Sequence, residues 1–259
     1  MSFENILVEN EGGISRITIN RPDKMNALNK GVLSELKVAI DSLLADDNLK
    51  GAILTGAGDK AFVAGADIAE FANYPYEQAK ELSQFGHDLF DKIEQSPKPV
   101  LALINGYTLG GGCELAMACH MRIATETSKF GQPEVNLGLI PGYGGTQRLA
   151  RYIGRPKATE LLVTGDMIGA EEALQLGLIN YVLPADEALE KANKIMGKVA
   201  RKSTLAVGRM LNLVQDYYSK DKNGFANEVE EFGRSFETED FKEGTTAFLE
   251  KRKPEFKGA

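Results

Sequence analysis

The chain has 259 residues, 43% hydrophobic and 26% charged, a balance that places it with globular proteins and outside the disordered and membrane-embedded classes. Its formal net charge of -7 comes from acidic residues spread along the chain, which argues against nucleic acid as the main partner. No segment approaches the roughly 20 apolar residues that span a bilayer, and Met1 to Asn20 lacks a cationic region followed by an unbroken apolar run, so no membrane partner and a cytoplasmic location are expected.

In chain order, short apolar strands are expected at Ile14 to Ile19, Gly51 to Thr55, Val100 to Ile104, Met121 to Ala124 and Ile179 to Leu183. Most are followed by a turn and often a helix, which is the rhythm of an α/β fold. Between the first two, Val32 to Ala45 places Val32, Leu36, Ala39, Ile40, Leu43 and Leu44 on one helical face, with Asp41 and Asp46 outside it. From about Asp186 strand signals stop and helical periodicity takes over. Phe225, Val229, Phe232 and Phe236 form one apolar stripe, and Thr238 is placed to cap the next helix. So thin a tail cannot bury that many aromatic side chains alone, and docking on the main domain or a neighbouring subunit is expected.

Three blocks carry the chemistry. In the first, Val100 to Ile104 runs through a turn to Gly110, Gly111 and Gly112 and then a helix-forming stretch with Glu114 in its first turn. Backbone N–H groups at such a helix start are unpaired and suit a developing oxyanion. The bland alternative is that the glycines only allow tight packing and that Glu114 complements the helix dipole. The second block, Lys60 to Ile68, holds no charged nucleophile or metal cluster and offers only backbone, with the N–H of Ala66 beside Gly65 as partner to that of Gly111. Asp67 is expected to cap the following helix. In the third, Phe130 to Leu149, Glu134 follows Pro133 in an apolar, glycine-punctuated setting that is unusual for a solvated charge. A salt bridge with Arg148 or a helix cap is the alternative to a chemical role.

These blocks resemble the signature of the enoyl-CoA hydratase (crotonase) superfamily, and the similarity runs the chain's length. It begins at Asn20-Arg-Pro-Asp-Lys-Met-Asn-Ala-Leu28, includes Leu162 to Asp166, and ends at Phe241 to Gly244 and Phe248 to Lys253. The resemblance implies a crotonase-type α/β fold: a ββα spiral catalytic core over residues 1–195 and a C-terminal helical segment over 196–259 that mediates trimer contacts, two trimers forming a homo-hexamer. It implies a hydro-lyase that adds water reversibly to a trans-2-enoyl-CoA, in fatty-acid oxidation or in the dehydration of short 3-hydroxyacyl-CoA. Ala66 and Gly111 match the donors to the thioester oxygen, Glu114 and Glu134 the two catalytic glutamates, and Gly142 the residue whose N–H holds the water. Lys24, Phe232 and Lys251 match positions that contact coenzyme A, the last two often from a neighbouring subunit. Surface placement is the alternative for the lysines, and core packing for Phe232. No cofactor beyond the coenzyme A carried by the substrate is implied.

His120 stands where relatives commonly carry Asp, and Ala69 where many carry Lys, which removes one phosphate contact. With two histidines, no His-Glu-x-x-His and no Cys-x-x-Cys, no metal site is expected, and Cys113 and Cys119 are not expected to pair. Gly56 to Ala61 fits a loose dinucleotide pattern, but Phe62 to Asp67 interrupts it where a helix should open. The rival readings are an enoyl-CoA isomerase of the same fold, which manages with the carboxyl matching Glu134, and a non-catalytic or RNA-binding member.

Overall fold

The computed structural model describes residues 3–259. A hairpin opens the chain, in which β1 (Ile6–Glu11) turns through Gly12 and Gly13, both at positive φ, into the antiparallel β2 (Ile14–Ile19). Next comes α1 (Lys30–Ala45), capped by Asn29, whose side chain accepts the Val32 N–H at 2.8 Å. After it run β3 (Gly51–Gly56), β4 (Ala61–Ala64), α2 (Ile68–Phe71) and α3 (Tyr76–Glu94). The middle of the chain holds β5 (Val100–Ile104), β6 (Tyr107–Leu109), α4 (Gly111–Ala118), β7 (Met121–Thr125) and β8 (Lys129–Gly131). Then follow a 3-10 turn at Pro133–Leu137, α5 (Gly145–Ile153), α6 (Arg155–Thr164), β9 (Met167–Gly169), α7 (Ala170–Gln175) and β10 (Tyr181–Leu183). Four helices close the chain: α8 (Ala185–Val199), α9 (Thr204–Asp216), α10 (Gly224–Ser235) and α11 (Glu239–Leu249).

The strands form two sheets. One has the order β1-β2-β3-β5-β7-β10 and is parallel from β2 onward; the other has the order β4-β6-β8-β9, with only β9 antiparallel. The larger sheet is covered on both faces, which is why β3 and β5 read as unbroken apolar runs. Ile53, Leu101, Leu103 and Ile123 face Ala188, Ala192 and Met196 of α8, whereas Leu54, Ala102, Ile104 and Ala124 join the main core with α1, α3 and α4. Since β-strand side chains alternate faces, one strand supplies both layers.

The expected α/β rhythm and helical tail are present, but the strand inventory needs correction. β1 and the short strands of the second sheet gave no signal; the latter have three or four residues each, too few to display a period. The expected strand at Ile179 to Leu183 is confined to Tyr181–Leu183, with Ile179 buried ahead of it. Leu33, not counted in the α1 face, is fully buried, whereas Leu44 is only partly so.

The tail does not bury its aromatics within this chain. Phe225 is 89% exposed, Val229 75% and Phe232 68%, and α10 packs chiefly on α9. No helix among the described residues is long and apolar enough to cross a membrane.

Candidate active site

Two strands of the smaller sheet end side by side, each in a backbone donor without a partner. β4 and β6 are paired in parallel up to Ala64 opposite Leu109, and each strand leaves the sheet through a glycine at positive φ: Gly65 (91°) and Gly110 (49°). Two residues past that last pair stand Ala66 and Gly111. Ala66 bridges to Leu28, with the Leu28 N–H given to the Gly65 carbonyl at 2.9 Å and the Asp67 N–H to the Leu28 carbonyl at 2.7 Å. In a parallel bridge of this pattern the N–H of Ala66 itself points away from Leu28. Gly111 is the first residue of α4, so its N–H has no acceptor within the helix. Neither N–H makes a hydrogen bond among the described residues.

The three glycines answer to three different neighbours. A Cβ at Gly110 would lie 2.7 Å from Oε1 of Glu134, and one at Gly111 3.3 Å from the ring of Tyr143. A Cβ at Gly112 would lie 2.0 Å from the Val63 carbonyl oxygen. Tight packing therefore explains Gly112, while Gly110 leaves room for an acid.

Glu114, on α4, is 1% exposed. Its Oε1 accepts the N–H of Tyr143 at 2.8 Å and of Gly145 at 2.6 Å. Burial, aided by the nearby charge of Glu134, raises its pKa to about 7 against the pull of those two donors. At its far end α4 is held by Arg122, which donates to the Ala116 and Leu178 carbonyls at 3.1 and 2.6 Å, placing positive charge at the helix C-terminus.

Glu134 sits in the 3-10 turn that Pro133 opens, and burial raises its pKa as well. The carboxamide of the buried Gln132, with its nitrogen turned toward Glu134, reaches the two carboxyl oxygens at 3.0 and 3.2 Å. Glu114 and Gln132 meet at Gly145, where a Cβ would lie 3.0 Å from Cγ of Glu114 and 2.8 Å from the Gln132 amide. The salt bridge from Glu134 to Arg148 considered above is not made. Arg148 instead donates to Asp91 at 2.5 Å, to Glu94 at 2.8 and 3.0 Å, and to the Tyr143 carbonyl at 2.8 Å.

Gly142 adjoins this cluster. Ser83 donates to its carbonyl at 2.6 Å, and the space where a Cβ would project is open. Lys24 is exposed at the end of a 3-10 turn (Pro22–Lys24) whose loop is tied to the second block by the Ala64 N–H donating to the Met25 carbonyl at 3.0 Å. Phe232, on α10, and Lys251, just past α11, are exposed on the helical tail, so Phe232 is not a core residue.

Asp67 occupies the position before α2 but does not cap it. Its carboxylate pairs with Arg21 at 2.9 Å, because the guanidinium, already donating to the Ala27 carbonyl, offers a stronger partner than a four-residue helix. His120 accepts the Val100 N–H on Nδ1 at 3.0 Å, and burial pushes its pKa down to about 4, so it is a neutral structural ring and no ion-pair member. Among the described residues no cluster of His, Cys, Asp and Glu could hold a metal ion.

Sequence reasoning missed Tyr143, Gly145 and Gln132, and offered Arg148 only as a partner of Glu134. All lie in the third block, but nothing in their spacing says that two of them offer N–H groups to an acid from the first block. What the cluster can do chemically is hold a carbonyl oxygen on two backbone donors beside two carboxyls of raised pKa.

A family profile described as Enoyl-CoA hydratase/isomerase matches residues 9–259. The chain is 47% identical over 257 residues to a crotonyl-CoA hydratase of Syntrophomonas wolfei, covering 99% of each protein. It is 43% identical over 256 residues to a short-chain-enoyl-CoA hydratase of Clostridium acetobutylicum, covering 98% of each. A crystal structure of an enoyl-CoA hydratase from Bacillus anthracis superposes with a TM-score of 0.94 at 39% identity, covering 99% of this chain and all of the other.

Proposed function

The chain belongs to the enoyl-CoA hydratase/isomerase family and has the crotonase fold, and on that premise we propose that it is a hydro-lyase that adds water reversibly to a trans-2-enoyl-CoA. The observation that carries this reading is the pairing of the buried Glu114 with the half-buried Glu134, two carboxyls of raised pKa, beside the unpaired N–H groups of Ala66 and Gly111.

Conjugate addition builds negative charge on the thioester oxygen, and the N–H groups of Ala66 and Gly111 receive it. A preorganised donor of this kind stabilises such a transition state by about 2.7–4 kcal/mol. Glu114 takes a proton from the water that attacks the β carbon, and Glu134 gives one to the α carbon. Gly142 contributes its N–H to the water. Because each carboxyl disfavours ionisation of the other, the pair holds one proton between them in the working enzyme, and the next turnover needs that proton restored to Glu134.

The substrate brings coenzyme A with it and no other cofactor is used. Lys24 meets the nucleotide end from its own chain; Phe232 and Lys251 meet it from the neighbouring subunit. The exposed aromatic face of α10 is covered in a trimer through residues 196–259, two trimers making the hexamer, with residues 1–195 as the catalytic core. The enzyme works in the cytoplasm, in fatty-acid oxidation or in short-chain 3-hydroxyacyl-CoA dehydration.

An isomerase of the same fold needs only the carboxyl corresponding to Glu134. The seating of Glu114 on two backbone donors favours hydration over that reading. Incubation with crotonyl-CoA should remove the enoyl absorbance; failure to hydrate an enoyl-CoA of any chain length would overturn the proposal.

A further inference from the structure

The Tyr143 ring lies against Gly111 while its backbone N–H seats Glu114, so it borders the reacting site on two sides. Water is added at the β carbon, so that carbon lies beside Glu114, and Glu114 is seated on the backbone N–H of Tyr143. Carbons beyond the β position must therefore pass the tyrosine.

The ring is fixed from every side. A Cβ on Gly86 of α3 would come within 2.1 Å of its Cδ1, and one on Gly111 within 3.3 Å of its Cδ2, so the ring is wedged between α3 and the start of α4. Phe90 meets it edge-on with centroids 5.5 Å apart, and its exposure is 6%. Its backbone is anchored as well. The Arg148 guanidinium holds the Tyr143 carbonyl, Glu114 the N–H, and Ser83 the carbonyl of Gly142 before it. Burial among Glu114, Glu70 and Tyr74 holds the phenol above its ordinary pKa, so the ring stays neutral, and its hydroxyl makes no hydrogen bond among the described residues.

We infer that Tyr143 is a specificity-determining residue that ends the acyl pocket and restricts the enzyme to short 2-enoyl thioesters. This rests on the hydratase reading above. Gly86 of α3 is the surface the ring is pressed against; any larger residue there would evict it.

The test compares kcat/KM for crotonyl-CoA and a ten-carbon trans-2-enoyl-CoA in the wild type, Tyr143→Ala, Tyr143→Leu and Tyr143→Phe. Apolar pockets discriminate by roughly 10–200-fold per methylene. The wild type should prefer crotonyl-CoA, and Tyr143→Ala should raise the ten-carbon to four-carbon ratio by at least about 10-fold. Tyr143→Phe, which keeps the ring, should leave the ratio where it was. Should the alanine variant fail to fold, Tyr143→Leu, which refills the apolar contact with Phe90 but shortens the wall, decides by the same ratio. A wild type that already prefers the ten-carbon thioester, or a ratio unmoved in the folded variants, overturns the inference. A wild type that hydrates neither thioester overturns the hydratase reading instead.

Discussion

Oε1 of Glu114 accepts the backbone N–H of Gly145 at 2.6 Å, across a gap of 31 residues in sequence. That bond sets where the carboxyl points, and a methyl group on Gly145 would intrude on it, lying 3.0 Å from Cγ of Glu114 and 2.9 Å from Cβ of Pro141. Gly145→Ala should therefore keep the fold while displacing the acid. Small displacements of reacting groups cost about 10²-fold. A kcat on crotonyl-CoA within a factor of about two of wild type, with an unchanged far-ultraviolet spectrum, would contradict this placement.

Glu134→Gln preserves the shape of the side chain and removes its proton chemistry. Positioned proton transfer contributes about 10²–10⁴-fold, so turnover should drop by that order while affinity for a substrate analogue is retained. Rate assays and calorimetric titration of the same preparation separate the two. Wild-type turnover in this variant would remove Glu134 from the reaction.

The elevated pKa of Glu114 has a sign for stability. Its folded value, about 7, lies above that of an ordinary carboxyl, so the folded state holds the proton more tightly than the unfolded state. The corresponding stability is fully present below about pH 4.5 and is lost as pH rises through about 7. Glu114→Gln, which is neutral at every pH and can still accept both N–H groups, should gain on the wild type as pH rises from 5 to 8, by at most about 3 kcal/mol. Thermal or urea melts at the two pH values measure this. A constant difference between the proteins would show that Glu114 is not forced toward its neutral form.

Phe225 is the most exposed large apolar side chain of α10, at 89%. If neighbouring subunits cover this face, Phe225→Asp places an unpaired charge in the contact and should shift the protein toward smaller species. Sedimentation velocity at micromolar concentration reads the change directly. A single small species for the wild type would leave α10 without its proposed partner.

Much of this architecture was legible in the residues. Apolar runs and helical periodicity located the strands of the larger sheet other than β1, and α1, because each is packed on a continuous apolar face. The glycine-flanked Glu114 and the Pro133-Glu134 pair stood out because charged residues are costly in apolar surroundings without a reason. The strands of the smaller sheet did not appear, since three or four residues paired with distant partners leave no local pattern.

The sequence by itself determined which groups are available: two acids, two glycine-bordered donors and a tail richer in aromatic residues than it can bury. Only the tertiary structure decided which of them meet. The register of β4 beside β6 brings Ala66 level with Gly111, and the loop before α5 gives its N–H groups to Glu114. It also gave Arg148 to Glu94 and Asp91 in place of Glu134, and Asp67 to Arg21 in place of a helix end. The physical reason is that hydrogen bonds and burial act through distance in space, whereas composition and periodicity report only on neighbours along the chain.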